Sequence, residues 1–333
     1  MTDHLLDVRD LHTVFPTDGG LVRAVDGVTF HLDRGETIGI VGESGCGKSV
    51  TALSIMRLVQ SPGRISSGQV LFKGRDLTQI SEQEMRQVRG REITMIFQDP
   101  MTSLNPVFRI GWQVKEPLLA HGHMRRKPAL RRAVEMIGKV GIPDASKRAQ
   151  LFPHEFSGGM RQRAMIAMCL TTTPAVLIAD EATTALDVTI QAQILQLLRE
   201  VKAEFGTAII LISHNLGVVA GMCSRVIVMY AGRVVEEGYV EDVFSNPRHP
   251  YTWALLRSIP RLETKGREPM RTIDGSPPDL SDLPSGCAFH PRCPLRQDRC
   301  VRQAPALSDF GNMHRGACWV TQQGTDLRNI ETE

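Results

Sequence analysis

At 333 residues the chain is long enough for one large domain, or for a large domain with a smaller companion. Its 42% hydrophobic and 23% charged residues are ordinary for a globular protein, and a net charge of +3 is too small for the strongly basic face of a nucleic-acid binder. No apolar run approaches the ~20 residues that a bilayer-spanning helix needs, and Met1–Arg9 has no apolar stretch after a basic start, so neither a membrane span nor a secretory signal is expected.

Residues 1–35, together with Gly68–Phe72, read as an antiparallel flank. Thr37-Ile-Gly-Ile-Val41 is a short continuous apolar run, as expected of a parallel strand covered on both faces. It leads into Gly42-Glu43-Ser44-Gly45-Cys46-Gly47-Lys48-Ser49, which fits G-x-x-x-x-G-K-[ST] and precedes a helical pattern. In that context backbone N–H groups wrap phosphates and the helix offers its positive end. Lys48 is then expected to reach the β- and γ-phosphates of ATP, and Ser49 to hold Mg²⁺. The stretch from about 100 to 165, rich in Arg and Met, predicts an inserted helical subdomain.

Val176–Ala179 reads as a second buried strand and ends in Asp180 and Glu181. Ligands of open parallel sheets bind beyond the strands' carboxyl ends. Asp180 is therefore placed to orient Mg²⁺ and Glu181 to polarise an attacking water. A helix over Ile190–Phe205 and strands at Ala208–Ile212 and Val226–Met229 complete an α/β pattern. Beyond about 240, prolines recur and periodicity fades after Arg257, which predicts a loop-rich appendage. It carries Cys287, Cys293, Cys300 and Cys318, spaced C-x5-C-x6-C-x17-C. Without an export signal such a cluster reads as metal-binding more readily than as disulfides. The spacing has no paired C-x2-C knuckles and matches no common ferredoxin run, and four unconnected thiols remain the alternative.

Phe156-Ser157-Gly158-Gly159-Met160 heads a helix just before the Asp-Glu strand, where it resembles the signature of the ABC-type ATPases, usually L-S-G-G-Q. The resemblance implies a P-loop nucleotide-binding domain with a RecA-like core, an antiparallel β flank and a helical subdomain. It implies that Ser157, Gly158 and Gly159 meet ATP held by an opposite subunit. It assigns Gln98, in Ile96-Phe-Gln-Asp-Pro100, to the Q-loop that meets Mg²⁺ and the reacting phosphate. His214 becomes the switch histidine, Asp187 in Ala185-Leu-Asp187 the D-loop aspartate, and Phe15 the aromatic that stacks on adenine. Two positions depart from the pattern: Ala182 stands where Pro is usual after Glu181, and Asn215 where Asp is usual after His214.

Gln98–Pro106, Thr184–Gln193, Arg248-His-Pro-Tyr-Thr252 and the cysteine-bearing tail look like the ATPases of dipeptide, oligopeptide and nickel importers. This closer resemblance implies an ATPase cassette over 1–240 and an extension over 241–333. It also implies two transmembrane permease subunits, a paralogous ATPase partner, a separate solute-binding protein and a place on the cytoplasmic face of the cell membrane. For the four cysteines it implies a [4Fe–4S] cluster, with zinc as the alternative, acting as a staple remote from the phosphates. Soluble ABC ATPases of DNA repair or translation carry long coiled-coil inserts or tandem cassettes, which this sequence lacks. Intact Lys48, Asp180, Glu181 and His214 argue against an ATP-binding regulator without turnover.

Overall fold

The computed structural model describes residues 4–98, 103–122, 124–182, 188–258 and 273–330. Two compact units make up the chain. Unit one contains Met1–Leu32, Thr37–Thr78 and Ser213–Glu333, and unit two contains Asp33–Glu36 and Gln79–Ile212.

Unit one starts with an antiparallel hairpin, Leu6–Thr17 (β1) and Gly20–Leu32 (β2), with Leu6 opposite Leu32 and Val8 opposite Phe30. Those four side chains are buried and face the core. Thr37–Val41 (β3) is buried at all five positions and leads through the glycine-rich loop into Lys48–Ile55 (α1). Arg64–Phe72 (β4) pairs antiparallel with β1 and Arg75–Asp76 (β5) with β4, giving the order β2-β1-β4-β5. The antiparallel flank expected from the sequence is this sheet.

In unit two, Ile93–Ile96 (β6), Val176–Asp180 (β7) and Ala208–Ile212 (β8) run parallel, and all of their residues are buried. That explains why their sequences, Thr94 and Asp180 apart, are apolar throughout rather than alternating. Between β6 and β7 lies the helical stretch, with Ile110–Ala120 (α2), Arg126–Lys139 (α3) and Gly158–Leu170 (α4). Val188–Phe205 (α5) connects β7 to β8.

The chain returns to unit one with Leu216–Met222 (α6), Arg225–Tyr230 (β9), Arg233–Tyr239 (β10) and Pro250–Arg257 (α7). Strand β9 is parallel to β3 and antiparallel to β10. The tail adds Ser308–Asp309 (β11) and Arg315–Gly316 (β12), and β12 pairs with β10 through Glu236 and Glu237. The tail thus extends a sheet of the same unit. Fully buried Glu236 fastens it there: its carboxylate accepts from Arg248 N–H (2.6 Å), His249 N–H (2.9 Å) and His314 Nε2 (2.8 Å). Among the described residues no helix is long and apolar enough to cross a membrane.

Candidate nucleotide site and cysteine cluster

The glycine-rich loop closes tightly. Gly42 has φ 150° and Gly47 has φ 101°, and a Cβ at either would lie 2.3 Å from a carbonyl oxygen, of Met229 and Ala24 respectively. Only glycine fits there. Gly47 caps α1, so the loop delivers the chain to a helix N-terminus. Lys48 is buried (4% exposed) and its Nζ donates to Gly42 O and Glu43 O, both at 2.8 Å, with Cys46 Sγ at 3.6 Å. Ser44 and Gly45 are exposed at the loop's tip, and Ser49 is half-buried in the first turn of α1. Phe15 is half-buried on β1 with its ring against Gly63.

In unit two, Asp180 is buried at the carboxyl end of β7, a hard oxygen donor of the kind Mg²⁺ takes. Glu181 follows with φ 47°, a left-handed backbone that costs a non-glycine residue of order 1 kcal/mol or more. Its N–H donates to Ile212 O, and its Oε2 accepts from Gln98 Nε2 at 2.9 Å. The Q-loop glutamine and the acid after β7 are therefore already in contact. Ser157 caps α4, its side chain accepting from Met160 N–H, and it stands exposed with Gly158 beside it. Gly159 lies against Ile190 of α5. Asp187 lies outside the described residues.

Of the two departures from the expected pattern, Asn215 has a physical account and Ala182 has none in the structure. Asn215 takes the aspartate's capping role: its Oδ1 accepts from Gly217 and Val218 N–H at the start of α6, beside an exposed His214. Ala182 is buried, and its carbonyl accepts from Gln162 Nε2 at 2.7 Å. Gln162 escaped the sequence reading. It is a buried polar residue (2% exposed) on the signature helix that ties that helix to the residue after Glu181.

Residues 25–184 match the ABC transporter family, and residues 235–300 match the C-terminal region of oligopeptide/dipeptide transporters. The chain is 53% identical to the oligopeptide transport ATP-binding protein OppD of Bacillus subtilis, over 95% of this chain and 88% of that one. It is 51% identical to the dipeptide transport ATP-binding protein DppD of the same organism, over 96% of each. The chain belongs to the ABC transporter ATPase family. Solved structures agree: the ATP-binding cassette MJ0796, captured as a dimer with ADP and Pi, superposes with a TM-score of 0.64 at 25% identity over 71% of this chain and 98% of that one. CbiO1 of Clostridium perfringens gives 0.62 at 28% identity, over 73% of this chain and 91% of that one.

Outside the nucleotide motifs, this ABC ATPase carries its four tail cysteines around one recess, with His249, Phe289 and Trp319 among its walls. Burial first, and the neighbouring thiols after it, push the Cys287 thiol up to about 11 and the Cys293 thiol up to about 12. Such thiols ionise at neutral pH only when a cation draws the proton off. On a single zinc ion, tetrahedral ligation at ~2.3 Å sets sulfurs ~3.8 Å apart. Among the described residues no three of these sulfurs lie within 4.8 Å of one another. The thiols converge on that recess.

The tail is also nearer the phosphate loop than the sequence reading expects. Arg292, the neighbour of Cys293, pairs with Glu43 inside that loop, with Nη1–Oε2 2.7 Å and Nη2–Oε1 3.0 Å. No local pattern announces a contact between residues 249 positions apart.

Proposed function

We propose that the chain is the subunit that hydrolyses ATP to energise import of di- or oligopeptides. Residues 1–240 form the ATPase cassette, with its helical subdomain over about 100–165, and 241–333 form the extension. Lys48 carries the charge that meets the β- and γ-phosphates, on a loop whose backbone N–H groups wrap them. Glu181 orients and deprotonates the attacking water while Gln98 holds its carboxylate by the 2.9 Å contact. His214 reads the γ-phosphate and Phe15 stacks on adenine. Ser49, Asp180 and Gln98 offer the hard oxygens that would hold Mg²⁺, which neutralises phosphate charge when bound. Ser157, Gly158, Gly159 and Asp187 serve the ATP held by a second, paralogous ATPase subunit. The observation that carries the reading is the closed phosphate loop with Lys48 turned into it.

The remaining partners are two permease subunits and a separate solute-binding protein, with the ATPase on the cytoplasmic face of the membrane. Exposed apolar side chains on unit two, among them the neighbouring Phe108 and Trp112, support docking on a membrane subunit. The rings of Phe108 and Trp112 stack at 4.3 Å and present one face. Cys287, Cys293, Cys300 and Cys318, which line one recess, hold a [4Fe–4S] centre on the family resemblance, with zinc as the alternative. The test is ATP turnover by the purified chain alone and by the complex with both membrane subunits. The chain alone is expected to be slow and the complex severalfold faster; equal rates would contradict the coupling.

A further inference from the structure

The phosphate loop is held at one residue, Glu43, by three contacts, two of them from outside the loop. Its N–H donates to Tyr251 Oη at 2.7 Å, its carbonyl accepts from Lys48 Nζ at 2.8 Å, and its carboxylate receives both Nη atoms of Arg292. Tyr251 is fully buried in an aromatic group with Tyr230 and Phe289, at centroid distances of 4.6 and 5.4 Å. Arg292 is itself rigidly seated. Only 5% of its side chain is exposed, its Nε donates to Asp274 O at 2.9 Å, Nη2 reaches Ile273 O and Nη1 reaches Tyr230 Oη. A guanidinium that has spent its donors on fixed acceptors cannot wander, so the bidentate pair fixes the carboxylate too.

We infer that Arg292 is a positioning residue for ATP, through which the C-terminal extension sets the nucleotide affinity of the phosphate loop. Two effects act in the same direction. Arg292 grips the Glu43 carboxylate and so fixes the residue whose carbonyl receives Lys48, and the lysine and the loop backbone are preset before phosphate arrives. It also neutralises a carboxylate that stands in the phosphate-binding sequence itself, where an unpaired negative charge repels a triphosphate. The extension therefore does more than stabilise its own fold: the same turn that presents Cys293 grips the loop. This inference rests on the assignment of 42–49 as the ATP phosphate loop.

The test uses the full chain and measures binding of a fluorescent ATP analogue with Mg²⁺, together with KM and kcat in the assembled complex. Arg292→Ala is expected to raise Kd and KM about tenfold, within the ~5- to 150-fold range of couplings between sites, while kcat at saturating ATP stays within about twofold. Adding Glu43→Gln to Arg292→Ala removes the repelling charge and is expected to recover most of the affinity; a fault of folding alone would not be recovered. Arg292→Lys keeps the charge, loses the fork and should fall between, and it carries the test if Arg292→Ala does not fold. Nucleotide affinity within about twofold of wild type in both Arg292 variants would overturn the inference, as would a loss that Glu43→Gln leaves unrelieved. Failure of the wild-type chain to bind ATP would instead refute the phosphate-loop assignment.

Discussion

Replacing Glu181 with Gln separates binding from chemistry. The two side chains have the same shape, and the amide oxygen still accepts from Gln98 Nε2, where the carboxylate stands at 2.9 Å. The left-handed backbone at φ 47° and the N–H bond to Ile212 O are the same in both proteins, so their energies cancel. What is lost is a negative charge and a proton acceptor. A positioned general base contributes about 10²–10⁴ in rate, or about 2.7–5.4 kcal/mol of barrier at 1.36 kcal/mol per tenfold. Turnover is expected to fall about 10³-fold while ATP affinity changes less than about twofold. Phosphate release in a single turnover, measured beside nucleotide binding on the purified complex, reads both. Turnover within tenfold of wild type would refute the role given to Glu181. An equal loss of ATP binding would refute it as well, because the charge would then serve the ground state.

Glu236→Ala strips an acceptor from three buried donors, two backbone N–H groups and His314 Nε2, and breaking such a buried arrangement costs about 3–5 kcal/mol. Denaturant unfolding should show that loss, and a change under about 1 kcal/mol would mean the clasp holds nothing. Asp26 gives the chain a pH signature: burial pushes its carboxyl up, but Arg233, with His12 and Arg23, outweighs that and leaves it below the usual 3.8. A depressed carboxylate stabilises the fold above its unfolded value and loses that contribution as pH falls through the folded one. Asp26→Asn should therefore cost about 1–3 kcal/mol at pH 7, as for a hydrogen bond to a charged group, and the gap to wild type should close below about pH 4; a gap that persists there would contradict this. Anaerobically purified protein should contain roughly four iron per chain with a broad band near 400 nm, as four-cysteine cluster ligation implies. Cys293→Ser should lose both, and stoichiometric colourless zinc would replace the cluster reading.

The nucleotide motifs were legible because each is contiguous and sits at an element boundary. Gly42–Ser49 joins a buried strand to a helix, and Asp180 with Glu181 ends another buried strand, so pattern and chemistry coincide within a few residues. The signature helix begins at Gly158 because Ser157 caps it. The tail was harder to read. Its strands β11 and β12 are two residues long, too short for any period, and they exist because β10 offers a free edge. Arg292, Tyr251 and Gln162 act through contacts that only the fold creates: an arginine beside a cysteine says nothing of a carboxylate 249 residues upstream. Tyr251 lay in a quoted family motif, yet its hydroxyl's partner, the Glu43 N–H, could not be guessed from it.

On this reading ATP hydrolysis by the chain drives solute across a membrane. The direct measurement is uptake of a labelled di- or oligopeptide into vesicles carrying the chain, its ATPase partner and both permease subunits, with the binding protein and peptide outside and ATP within. Peptide accumulation is expected to require ATP and to disappear with Glu181→Gln, and ATP hydrolysis is expected to rise when loaded binding protein is added. Accumulation that survives Glu181→Gln, or hydrolysis indifferent to both permease and loaded binding protein, would contradict it.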